Sequence, residues 1–374
     1  MASRRFGLRT RGWIFHALAL SVAVAAVLKG NNLLFATFSV LAGISAISAG
    51  MTLVGGRKLE ISRIAPERAA AGEPFPVTLR IRNVNRWLPS GFLRLEDRLS
   101  GDGRTAALQP PPVRIPPLRP GEGVRAATGA LAHQRGWARL GPLTVISEFP
   151  PGLFTCRTTL PVEDAVLILP RLGTLNRRLF STGLARIEGA DLAPVRSLPG
   201  NEEFAGLREY RPGDHLRRIH WKMSARLQGK LLVREFEDAQ VRDAAILLET
   251  YLPRPDDHRR RLRLERAVTF AATLAKELLD ENYRVRFRAF GPAPVTLRLE
   301  PRRGALDGLL EALALLKPST EHPLADLLAS EEPLSREVYF ILRIGGEPLP
   351  PWDLLHRSLV LDAAAMRSLM RIPP

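Results

Sequence analysis

Two uncharged apolar runs lie close together near the N-terminus and constrain this chain more than any other feature. Trp13 to Leu28 is followed by a polar turn, Lys29-Gly30-Asn31-Asn32, and then by Leu33 to Val54. At about 1.5 Å per residue, the second run is long enough to cross a hydrocarbon core. The first is marginal and needs extension toward Phe6 or a locally thinned bilayer. It also has the make-up of a signal peptide, with Arg4, Arg5, Arg9 and Arg11 before it and small residues Ala23, Ala25 and Ala26 within it. The neighbouring second run favours a membrane hairpin, with spans at about 13–28 and 33–54. Arginines precede it and Arg57-Lys58 follow it, against Lys29 in the turn. The positive-inside rule then puts both ends in the cytoplasm. Ala42, Ala46 and Gly50 form a small-residue stripe through which helices can approach closely.

The 374 residues exceed one ordinary domain and predict a multidomain chain: hairpin over 1–58, a small β-sandwich over 59–160, and an α/β domain over 161–374. The β reading rests on "LEISRIAP", "FPVTLRIRNVN" and "RGWARLGPLTVIS", which alternate apolar and polar residues between Pro, Gly and Asn turns. From about Ala165 the pattern changes. "DAAILLET" and "VYFILRI" read as buried parallel strands, "YRVRFRAF" as an alternating strand and "SLVLD" as a last one. Asp256-Asp257 cap a long helix through Glu281, with apolar positions from Leu262 to Leu278. Gly304 to Leu316 and Pro323 to Ala329 are further helices. Alternating strands and helices give a mainly parallel sheet.

The formal net charge is +16, which suits anionic lipid, nucleic acid or an acidic protein face. Nucleic acid is disfavoured, because only 6% of residues are aromatic and no helix-turn-helix or zinc signature is present. The alternative is that Arg simply decorates solvated faces. Cys156 is the single cysteine, which excludes an internal disulfide and a zinc site of several thiolates. No Gly-x-Ser-x-Gly elbow, Walker loop or His-Glu-x-x-His occurs, so no enzyme and no cofactor is expected. The competing reading is a hydrolase using His220 with Asp214 or Glu209.

The segment Gly200 to Glu237 is the most informative. Pro212-Gly213-Asp214 is a turn signal. From Arg208 to Arg234, eight Lys or Arg (Arg208, Arg211, Arg217, Arg218, Lys222, Arg226, Lys230, Arg234) face two acids (Glu209, Asp214), an excess of six positive charges. Trp221 stands between His220 and Lys222. Arg208, Arg211, Asp214, Arg217, Arg218, His220, Trp221, Lys222 and Arg226 are therefore candidates for binding an acidic partner. In the competing reading, Tyr210 and Trp221 pack into the sheet while the arginines pair with Glu202, Glu203, Glu209, Glu235 and Glu237.

The words "LREYRPGD", "RRIHWKMSAR" and "LLVREFE" resemble the signature of the bacterial domain of unknown function family 58. The "GNNLLF" turn and the Pro-Gly-Leu-Phe turn at Pro151 to Phe154 fit the same architecture. The resemblance implies a C-terminal domain similar to von Willebrand factor A domains. It also implies association with MoxR-type AAA+ ATPases, and with the basic flanks of the hairpin it leads to the expectation of a multi-pass bacterial inner-membrane protein with its soluble parts in the cytoplasm. Related A domains bind a divalent cation through Asp-x-Ser-x-Ser and later Thr and Asp residues. Here Glu249, Tyr251, Pro253, Arg343 and Ile344 stand at those places, so the metal site reads as lost, with Arg343 expected to pair with Glu249.

Overall fold

In a computed structural model of the chain, the described residues are 3–55, 58–101, 107–148, 152–188, 203–211, 219–226, 231–237, 242–254, 256–331, 337–349, 351 and 357–372. They fall into two compact units, Met1–Arg171 and Leu172–Pro374.

The first unit begins with a strand, β1 (Ser3–Leu8), and two helices, α1 (Thr10–Lys29) and α2 (Asn32–Gly55). Both helices are long and apolar enough to cross a membrane. Gly30 takes the left-handed conformation that ends α1 (φ 57°), and the Asn31 side chain accepts from the Leu33 amide (2.8 Å) to start α2. Gly12, Ala19 and Ala26, spaced by seven, are the buried positions of α1. Those of α2 are Ser48, Thr52 and Gly55. His16 bridges the Gly12 carbonyl (2.7 Å) and the Ser45 hydroxyl on α2 (2.8 Å). The stripe of Ala42, Ala46 and Gly50 is exposed, contrary to expectation. The side-chain contact with α1 is made by Ser45, through His16, instead.

Twelve strands follow: β2 (Leu59–Ile64), β3 (Arg68–Ala70), β4 (Pro74–Asn83), β5 (Phe92–Glu96), β6 (Leu99–Gly101), β7 (Ala107–Leu108), β8 (Val113–Ile115), β9 (Gly123–Ala132), β10 (Gly136–Leu140), β11 (Leu143–Glu148), β12 (Phe154–Leu160) and β13 (Asp164–Leu169). They form sheets ordered β1-β12-β11-β5-β8, β2-β4-β9-β7 and β3-β13-β10-β6. The long strand β4 serves two cores, as its alternation dictates. Phe75 and Val77 join a cluster with Leu99, Leu140, Val166 and Ile168. Leu79 and Ile81 join another with Leu93, Leu95, Leu143 and Val145. One sheet thus packs against two successive ones, a sandwich arrangement.

Two expected boundaries move. The hairpin is not a separate 1–58 segment, because β1 pairs antiparallel with β12 from Ser3↔Thr159 to Leu8↔Phe154. Phe6 therefore stacks on Phe154 (5.3 Å) and does not lengthen α1. The β unit also runs past residue 160, because β13 pairs with β10 and β3.

The second unit contains β14 (Thr174–Leu175), α3 (Arg177–Glu188), β15 (Glu203–Glu209), α4 (Trp221–Ser224), β16 (Leu232–Glu237), β17 (Arg242–Leu248), α5 (His258–Asp280), β18 (Tyr283–Phe290), β19 (Pro294–Leu299), α6 (Ala305–Leu315), α7 (Leu324–Ala329), β20 (Val338–Leu342), β21 (Ser358–Leu361), α8 (Ala363–Leu369) and β22 (Met370–Arg371). Its main sheet is ordered β19-β18-β17-β20-β21, parallel except for the edge strand β19. β17 and β20 are buried along their length after Arg242 and Asp243, as their unbroken apolar runs require. Asp257 caps α5 by accepting from the Arg260 amide (2.9 Å). The helix buries Leu264, Val268, Phe270, Leu274 and Leu278, whereas Leu262 is exposed. α7 places Leu324, Leu327 and Leu328 over Ala245, Leu247, Tyr339 and Ile341.

Candidate functional site

Two places in the second unit hold the residues singled out from the sequence. The first is the crevice at the C-terminal ends of β17 and β20. The chain leaves β17 for β18 on one side and returns to β20 on the other, so the sheet order reverses here and a crevice opens. Glu249, buried just past β17, points into it. Its Oε2 accepts from the amides of Ile344 (2.8 Å) and Gly345 (3.0 Å), and its Oε1 from Arg260 (3.1 Å).

Arg260 also reaches Glu347 (3.3 Å), and its guanidinium carbon lies 5.4 Å from the centre of the Tyr251 ring. The pairing of Arg343 with Glu249 is thus corrected: Arg343 donates to the Glu347 carbonyl. It follows β20 and points along its own loop, whereas Arg260 in the first turn of α5 reaches across the crevice. Tyr251 and Leu252 are held by Ser319, with the Leu252 amide donating to its carbonyl (2.7 Å), and Pro253 is exposed.

These residues do not suit a divalent cation. Both Glu249 oxygens already accept hydrogen bonds, and a fixed guanidinium supplies the positive charge beside them. Among the described residues no three His, Cys, Asp or Glu side chains come together as a metal site. Sequence reasoning missed Arg260 because a basic run at a helix start reads as a solvated face.

An expected outcome follows for Glu249→Gln. One of its acceptors becomes an amide NH₂ facing N–H or guanidinium donors, so stability should fall by about 1–3 kcal/mol. Melting of the wild-type chain should not change between EDTA and Mg²⁺. A Mg²⁺-dependent rise lost in Glu249→Gln contradicts this account of the crevice.

The second place is the hairpin of β15 and β16, paired from Glu203↔Glu237 to Glu209↔Leu232 with a bulge near Phe204 and Gly206. The basic segment is the connection between these strands. Within it α4 is one short turn fixed at three points. His220 accepts from the Met223 amide through Nδ1 (3.2 Å), the buried Ser224 hydroxyl accepts from the Leu232 amide (2.8 Å), and Ile219 bridges to Val233.

His220 is therefore a capping residue. Trp221 is 62% exposed, so the expectation that it packs into the sheet does not hold. Its neighbours Ile219 and Ser224 take the buried side of the turn. Lys222, Arg226 and Arg211 are exposed, and Tyr210 is half-buried. Asp214, Arg217 and Arg218, with the turn Pro212 to Asp214, lie outside the described residues, as do the side chains of Arg208 and Arg234. The fixed turn thus carries an exposed indole beside Lys222.

A family model described as "Protein of unknown function DUF58" matches residues 206–338. This stretch, about a third of the chain, is a DUF58 region. The matched DUF58 region takes in the exposed turn of Trp221, the crevice residue Glu249 and the sheet from β17 to the start of β20. No curated protein matches the chain. Similar solved structures include the CARDB domain of a Pyrococcus furiosus protein in complex with di-metal ions, at 11% identity and TM-score 0.22. That match covers 30% of this chain and 87% of that one. The FixG-related protein from Vibrio parahaemolyticus matches at 13% identity and TM-score 0.18, covering 30% and 96%. Scores this low carry nothing about the fold or function of this chain.

Proposed function

We propose that this chain is a membrane-anchored interaction module whose α/β unit, read as von Willebrand A-like, docks a MoxR-type AAA+ ATPase. The observation that carries the proposal is the exposed Trp221 on a turn held by His220 and Ser224, beside Lys222. A large ring kept in water on a held turn, beside a cation, is a favourable anchor for an acidic partner surface. The order β19-β18-β17-β20-β21 supports the A-like reading, and the Glu249–Arg260 pair makes docking independent of a metal.

The anchor is the α1–α2 hairpin, inserted as a pair with the soluble units in the cytoplasm of a bacterial inner membrane. The strand β1 supports this reading. It ties the residues before α1 to β12, in the unit that also receives the chain after α2, so both ends of the hairpin stand on one side. Cleavage after the first run would strip β1 from the sheet and leave β12 as an open edge. A reporter active only in the periplasm, fused after Pro374, should stay silent. A strong periplasmic signal contradicts this orientation.

The hydrolase reading loses support at His220, whose Nδ1 is engaged by the Met223 amide. The docking test is capture of the purified ATPase by the full chain in detergent or nanodiscs. Trp221→Ala is a clean variant because the side chain is exposed. Its melting should stay within about 0.5 kcal/mol of the parent, while an anchor's loss costs about 2 kcal/mol or more of binding. Unchanged capture by Trp221→Ala removes this surface from the proposal.

A further inference from the structure

The β4–β5 loop, Val84 to Gly91, exposes more apolar surface than a free loop on a soluble domain requires. Trp87 is 86% exposed, and Val84, Leu88 and Phe92 are also exposed, with Arg86 beside them. The loop is nevertheless well held. The buried Asn83 donates from Nδ2 to the carbonyls of Leu88 and Leu118 (3.0 Å each), and its Oδ1 accepts from the Asn85 amide (3.1 Å). The Ser90 amide donates to the Leu118 carbonyl (2.9 Å), and the Ser90 hydroxyl accepts from the Leu118 amide (2.8 Å). Trp87 and Leu88 are thus presented to the outside by a braced frame.

The frame sits at the exit of α2. β2 starts four residues beyond the end of α2 and pairs antiparallel with β4, Leu59 opposite Asn83. Antiparallel pairing means that β4 runs back toward α2 as β2 runs away from it. The next pair of residues keeps this sense, since the Val84 amide donates to the Lys58 carbonyl (3.0 Å). The chain therefore continues past Lys58 before it turns. On its return it passes α2 itself: a Cβ on Gly55 would lie 2.8 Å from the Gly91 amide nitrogen. One end of the loop is thus tied to Lys58, just past α2, and the other lies against Gly55, the last residue of α2. The β8–β9 turn reaches the same edge, where the Gly121 amide donates to the Asn83 carbonyl (2.8 Å), and it brings the exposed Arg119.

We propose that this loop is a membrane-interface contact in which Trp87 and Leu88 enter the headgroup zone of the bilayer while Arg86 and Arg119 face lipid phosphates. This rests on the hairpin reading above. Indole rings favour that zone because the ring is apolar and its N–H is polar. Arginine forks match phosphate oxygens. The contact fixes the β unit against the membrane and limits how it swings on the hairpin.

The test uses the full chain in nanodiscs, with single nitroxide labels at Leu88→Cys, Val40→Cys in α2, or Glu73→Cys at the opposite end of β4. Each is made in a Cys156→Ala background that keeps Trp87. Collision with dissolved oxygen is compared with collision with a water-soluble nickel chelate. At 88 the ratio should favour oxygen, as at 40, whereas at 73 it should favour the chelate. Adding Trp87→Ser should move the ratio at 88 toward the chelate. If 40 is in lipid while 88 behaves like 73, the interface contact is overturned and the anchor stands. Protection of 88 from both agents marks a protein contact and also overturns it. A chelate-accessible 40 removes the anchor, and the interface contact with it.

Discussion

Arg63→Met is expected to destabilise the β unit by about 3–5 kcal/mol, because it strands a carboxylate that has been taken out of water. Arg63 is buried between the strands and bonds Asp97 (2.7 Å) and Asp164 (2.7 Å), as well as the Leu140 carbonyl (3.0 Å). Asp97 is itself buried, with only 3% of its side chain exposed. Burial pushes the Asp97 carboxyl above its usual range, and the charge of Arg63 lowers it only in part.

The sign of the pH effect follows. Between the unfolded and the raised folded pKa, the folded state holds the proton more often, so stability at this group rises as pH falls through that window. Asp97→Asn should accordingly cost less than Arg63→Met, and the pair Arg63→Met with Asp97→Leu should recover much of the loss. Denaturant melts of the four proteins check this. Equal losses for Arg63→Met and Asp97→Asn contradict the ranking.

A second large effect is expected for Glu331→Ala. On β18 the residues Tyr283, Val285, Phe287 and Ala289 are buried, while Arg286 and Arg288 point to the other face. That is the face covered by α7, so their charges need partners. Glu331, fully buried just after α7, contacts both guanidinium groups, and Glu337 binds Arg286 through Nε (3.0 Å). Desolvation pulls the Arg286 pKa down, but the hydrogen bond and charge of Glu337, with the charge of Glu331, more than offset it and the value is raised. The network is balanced at two cations and two anions. Removing Glu331 leaves two cations on one carboxylate, at a cost of about 3–5 kcal/mol. A loss below about 1 kcal/mol means that water enters the site and solvates the arginines.

Much of this architecture was legible in the sequence, for local reasons. The two uncharged runs marked the helices α1 and α2, and the alternation of "FPVTLRIRNVN" fixed which side chains of β4 enter the cores. The strand β1 was hidden. "SRRFGL" reads as a basic flank, and its partner β12 lies about 150 residues on, a pairing that no local pattern encodes. The small-residue stripe of α2 failed because small residues mark a possible contact and not its direction. At the crevice Glu249 was readable as a candidate, but its expected partner Arg343 was not the right one: the partner is Arg260, on another element. The exposure of Trp221 was not readable either, since burial depends on Ile219 and Ser224 taking the inner side of the turn. Sequence could only nominate the candidates Arg208, Arg211, Lys222 and Arg226 by charge.

The most direct measurement is a binding titration of the purified MoxR-type ATPase against the full chain in nanodiscs, at two salt concentrations, with Trp221→Ala and Trp221→Ala/Lys222→Glu alongside. The account predicts saturable binding that weakens as salt rises and falls more than tenfold in the double variant, with melting unchanged. Absence of binding by the wild-type chain, or binding that the double variant leaves intact, contradicts it.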